Sequence, residues 1–97
     1  MKAFIFDKYV DGVENHFQLS KGDLFKKSRR RKYVDARYLL YYLCKKRNMS
    51  ITYIQEYMKE KGFDVYHSAI INGINIMKQR VEDDIDLNTI IDKIKKS

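Results

Sequence analysis

Residues 50–74, SITYIQEYMKEKGFDVYHSAIINGI, decide the fold. Ser50 suits an N-cap, because its hydroxyl can accept a hydrogen bond from one of the backbone N–H groups that the first helical turn leaves without a partner. Behind it, Ile51, Ile54 and Met58 fall on one face at helical spacing. Gly62 marks the stop, since glycine takes the left-handed backbone of a helix terminus without a Cβ clash. After Gly62-Phe63-Asp64, the side chain of Asp64 is expected to cap a further helix. Its first turn carries Val65, Tyr66, His67 and Ser68, and its core positions are Ile70, Ile74, Met77 and Val81. Two helices joined by a short glycine-containing turn, the second opening on small and polar side chains, form a helix-turn-helix pattern.

Working outward, Tyr33 to Cys44 carries Val34, Ala36, Tyr38, Leu39, Leu40, Tyr41, Tyr42 and Leu43. A segment apolar on nearly every face belongs at the centre of a bundle. Asn48 punctuates it. The spacing of Phe6, Tyr9, Val10, Val13 and Phe17 predicts a first helix over residues 3–17, although Gly12 weakens it by about 1 kcal/mol relative to alanine. Ser20-Lys21-Gly22-Asp23 has the form of a capping box before one or two helical turns at Leu24-Phe25. The acidic knot Glu82-Asp83-Asp84 ends the long helix, and Leu87, Ile90, Ile91 and Ile94 predict a last amphipathic one. Tyr38, Tyr41 and Tyr42 read as core, because base-stacking aromatics stand on exposed sheets or clefts. Gly73 reads as a close helix–helix contact. No segment alternates at period two for long enough to make a strand. The expected fold is all-α, a compact bundle of five to six helices in one domain over residues 1–97.

Charge is concentrated in one third of the chain. Lys26-Lys27-Ser28-Arg29-Arg30-Arg31-Lys32 places six cations in seven residues, and like charges at that density predict a solvated loop. Residues 21–49 hold 11 Lys or Arg against only Asp23 and Asp35, a local balance of +9 within a net charge of +7. Such a surface favours a polyanion. Lys27, Arg29, Arg30, Arg31, Lys32, Arg37 and Lys45 are its candidate contacts to nucleic acid, with Arg29, Arg30 and Arg31 placed to enter a narrow minor groove where negative potential concentrates. Tyr66, His67, Ser68 and Ala69 would read base edges in the major groove: an imidazole and a hydroxyl donate and accept, and a methyl or ring touches the thymine methyl.

Other chemistries have little support. A lone Cys44 forms no internal disulfide, and with His16 and His67 it offers too few soft ligands for a zinc site. No cofactor is expected, nor a small-molecule substrate, since no phosphate-cradling glycine string exists. The Asp83-Asp84 pair has no partnering histidine, so catalysis is not expected either. The N-terminal apolar run breaks after Phe4-Ile5-Phe6, and no window is long enough to span a bilayer. The expected location is the cytoplasm. Duplex DNA is the expected partner, with a homodimer or a replication or transcription protein as a further one. A small basic module that binds structured RNA or an acidic protein is the alternative.

Phe17-Gln18-Leu19-Ser20-Lys21-Gly22-Asp23-Leu24, the helix opening Tyr33-Val34-Asp35-Ala36-Arg37-Tyr38-Leu39-Leu40, the Ser50-led helix, Tyr66-His67-Ser68-Ala69-Ile70-Ile71-Asn72-Gly73-Ile74 and Leu87-Asn88-Thr89-Ile90-Ile91 occur in an order with a precedent. Together they resemble the C-terminal helix-turn-helix domain of the bacterial replication initiator DnaA. The family motif opens the recognition helix with Asp-His-Ser/Thr-Thr; this chain keeps His67-Ser68 but has Tyr66 in the acid's place and Ala69 in that of the second hydroxyl. The resemblance implies a stand-alone duplex-DNA reader, without the family's ATPase module; the expected role is in replication initiation or its regulation, or in transcription control. It also implies roles: Arg29 in the minor groove, Lys45 on a phosphate, Ile51 and Thr52 near thymine methyls, and His67 and Ser68 at the bases with Tyr66 beside them.

Overall fold

In the computed structural model, which describes residues 2–96, the apolar segment is the axis of the molecule. The helices are α1 (Lys2–His16), α2 (Arg31–Lys46), α3 (Ile51–Glu60), α4 (His67–Asp83) and α5 (Ile85–Lys96), with one 3-10 turn at Asp23–Phe25. No strand occurs among the described residues. Ala36, Leu39, Leu40, Leu43 and Cys44 of α2 have no solvent exposure, and α1, α3, α4 and the 3-10 turn all pack on this helix. The fifth helix closes the bundle over α1 and α4, burying Ile91 and Ile94. Burial pushes the Cys44 thiol up to about 12.

Two helix starts differ from the sequence reading. The second helix begins at Arg31 instead of Tyr33, so the last two cations of the basic run are helical. Packing of the apolar face outweighs like-charge repulsion here, and Arg31 Nε lies 3.8 Å from Asp35 one turn along. The fourth helix begins at His67 with Tyr66 as N-cap, so Asp64 caps nothing and Val65 and Tyr66 lie outside the first turn. Gln55 explains part of this, because its Nε2 donates to the Val65 carbonyl at 2.8 Å and holds the chain extended up to Tyr66.

Local signals were otherwise followed. Ser50 accepts the Tyr53 N–H at 3.1 Å. Gly62 adopts φ +90°, with its own N–H bonded to the Lys59 carbonyl and that of Phe63 to Met58, the paired bonds of a Schellman terminator. The same pair of bonds ends α1 at Gln18 and α2 at Asn48, both left-handed. Only half of the expected capping box forms: the Ser20 N–H donates to Asp23 Oδ2 at 2.9 Å, and a single 3-10 turn follows. At the last helix boundary Asp84 acts as cap, accepting the Leu87 N–H at 3.2 Å.

The crossing of α2 and α4 positions everything that follows. A Cβ added at Gly73 would lie 2.5 Å from Tyr38 Cδ1, so only glycine lets the two helices approach this closely. Arg80 at the far end of α4 pairs with Asp35 at 2.9 Å. The fourth helix is thereby pinned along its length, with Ile70, Gly73 and Met77 buried.

Candidate nucleic-acid interface

The first turn of α4 projects from a helix whose inner face is fixed. His67, Ser68 and Ala69 are exposed and Tyr66 is 81% exposed, whereas Ile70, the next residue, is wholly buried. No side chain caps this helix end. Thr52 at the start of α3 is also exposed, and Ile51 beside it is half-buried against the core.

The cations take distinct positions. Lys27, Arg29, Arg30, Arg31, Lys32 and Lys45 are all exposed. Lys45 and Lys46, from the end of α2, line a groove with Ile74, Asn75 and Lys78 of α4. Lys26 is engaged elsewhere: its ammonium lies 2.8 Å from Asp23 and holds that carboxyl below the usual range, with the Ser20 N–H adding to the effect.

Arg37 is not among the surface cations, contrary to the sequence reading. It is only 6% exposed, and its guanidinium donates to the Leu24 carbonyl at 2.9 Å, to that of Ser28 at 3.0 Å, and to that of Lys26. Its central carbon lies over the Phe63 ring, 4.4 Å from the ring centroid. Desolvation lowers its pKa from the ordinary value, partly opposed by Tyr41 and Tyr38. A side chain with five donors in a fixed fork suits backbone carbonyls as well as phosphates, and here the backbone takes it.

Glu14 was not anticipated either. It is 3% exposed on α1, and its Oε2 accepts the N–H groups of Gly22 at 2.9 Å and Leu24 at 3.2 Å. The segment leading into the basic loop is therefore held by a buried acid on its N–H groups and a buried base on its carbonyls. A charge one residue after Val13 in the apolar pattern of α1 was the available signal.

The fourth helix also exposes residues beyond its first turn. Ser68, Ile71, Asn72 and Asn75 recur at helical spacing on the solvent side, and Ile71 is 46% exposed. The polar Asn72 and Asn75, which interrupt an isoleucine-rich run, could have revealed this stripe.

An exposed polar helix start, a preceding helix, and a flanking cationic loop define a helix-turn-helix DNA-binding domain. Residues 7–76 match the family described as bacterial dnaA protein helix-turn-helix. The chain belongs to that family. No curated protein and no solved structure matches it. Among the described residues, no helix is long and apolar enough to cross a membrane, and no cluster of His, Cys, Asp and Glu could hold a metal.

Proposed function

We propose that this domain recognises a specific duplex sequence through both grooves and acts in replication initiation or its regulation. The first turn of α4, His67 and Ser68 with Tyr66 and Ala69 beside them, reads base edges in the major groove. Arg29, Arg30 and Arg31 enter the adjacent minor groove. Lys27, Lys32 and Lys45 hold phosphates, joined by Lys46 and Lys78, while Ile51 and Thr52 approach thymine methyls. One observation carries the reading: the exposed His67–Ala69 turn is followed at once by the fully buried Ile70, so a polar tip stands on an immobilised helix. Family membership supports the link to replication.

Selection of bound sequences from a random duplex pool tests it. The expected result is one enriched motif with an A·T-rich flank, and a bacterial initiator should compete for the same duplexes. Neutralising four to seven phosphates should give log affinity falling against log salt with a slope of about −4 to −6. An unenriched pool refutes specific recognition. A flat salt profile refutes the nucleic-acid reading, and preferential competition by a folded RNA at matched salt reassigns the partner.

A further inference from the structure

The two reading elements are distant in sequence, yet one buried side chain touches the supports of both. The Arg37 guanidinium binds alternate carbonyls of the chain leading into the basic loop, at Leu24, Lys26 and Ser28. On its other side lies Phe63, the residue that closes the α3 terminator and begins the approach to His67. Val34, Arg37, Phe63 and Ala69 line one shallow groove, so the first turn of α4 borders the same groove.

The arginine is not held by an ion pair: none of the recorded contacts to its guanidinium among the described residues comes from a carboxylate, and its donors are used instead on backbone carbonyls. A hydrocarbon could not take up three loop carbonyls while presenting a planar cation to an aromatic ring.

We infer that Arg37 is a positioning residue that braces the minor-groove loop against the turn before the recognition helix, so that flank reading and base reading act as one unit. The inference rests on the two-groove reading above. Loop and recognition helix then arrive at the duplex in a fixed relation, and the ordering cost of the loop is met before binding. Without the brace the arginines still attract phosphate, but they no longer enter the minor groove at a set distance from the bases read by His67.

The test compares wild-type protein with Arg37→Met and Phe63→Leu by two measurements. Amide hydrogen exchange on free protein monitors the N–H groups of Lys26 and Phe63, which are bonded to Asp23 and Met58. Arg37→Met should speed both by about tenfold or more, and Phe63→Leu mainly the second. Binding to matched duplexes that differ only in A·T or G·C flanks gives the second readout. For Arg37→Met the flank preference should collapse to within about twofold of unity, while the salt slope changes by less than about one, since no phosphate-binding cation is removed. If Arg37→Met does not fold, Phe63→Leu decides, with at least a halved flank preference expected. A wild-type flank preference that survives the variant, or exchange unchanged at both amides, overturns the brace alone. Wild-type protein with no flank preference overturns the two-groove reading and this inference with it.

Discussion

The basic loop before α2 and the turn between α3 and α4 are both short irregular connections, and they are held in different ways. The loop carries a dense positive charge that cannot be buried, so its order comes from outside: Glu14 of α1 takes its leading N–H groups and Arg37 of α2 takes its carbonyls. The turn from Lys61 to Tyr66 contains one cation and one carboxylate, and it folds inward at Phe63. Backbone bonds at Gly62 and Phe63 and the Gln55 amide bond hold it, with the Arg37 guanidinium over the Phe63 ring and Lys61 paired with Asp7 at 3.3 Å. A connection that must stay in water borrows rigidity from buried charges of both signs, whereas a nearly neutral one closes mainly on its own backbone.

Removing the charge should have the largest effect. Replacing Arg29, Arg30 and Arg31 together with alanine should weaken every duplex roughly a hundredfold, at about 1 kcal/mol per cation, and erase the flank preference. Fluorescence anisotropy on probes with A·T and G·C flanks measures both. Retention of the wild-type preference would make these arginines general counterions and remove half of the contrast.

Next is the anchoring itself. Glu14→Leu strands two N–H groups at Gly22 and Leu24 and should cost about 2–3 kcal/mol in urea unfolding, while Gln55→Leu, which frees one carbonyl near solvent, should cost under about 1 kcal/mol. Equal costs would mean that loop and turn are held alike.

His67→Ala should lose about 1–3 kcal/mol on the selected site and little on random DNA, whereas Lys45→Ala should weaken both equally. Circular dichroism should show both variants folded, because neither side chain contributes to the core. A His67 variant that loses equally on both duplexes would place that residue on the backbone.

The smallest effect is acid sensitivity of the loop entrance. The folded-state pKa of Asp23 is held below its ordinary 3.8 by Lys26, so its contribution to stability is complete above that value and lost as pH falls through the folded pKa. Thermal midpoints of wild type and Asp23→Asn should therefore differ at about pH 5 and draw together as the pH falls below 3.8.

Much of the architecture was legible because it rests on local chemistry. Ser50, Gly62 and the stripe Ile70, Met77 announced themselves through capping, left-handed backbone and periodicity, and Gly73 through its place on a buried face. The start of α2 at Arg31 was not legible, since charge density argued for a loop and only tertiary packing overrides it. Asp64 had the right chemistry for a cap and lost that role to a tertiary bond from Gln55. The site divides in the same way. Exposure of His67 and Ser68 followed from their place at a helix start, but Arg37 and Glu14 act on backbone atoms far along the chain, and a backbone acceptor leaves no mark in a sequence. A surface cation and a buried one are the same letter.

Cys44 gives the molecule a kinetic handle of its own. It is the only cysteine, it has no solvent exposure, and burial holds it as a thiol, so a thiol reagent can reach it only when α2 separates from its neighbours. The labelling rate of the unmodified protein therefore counts opening events. A duplex that binds only the closed state should slow the count by about 100-fold when present at 100 times its dissociation constant. Affinity for any sequence can then be read from the rate at which one hidden sulfur is modified.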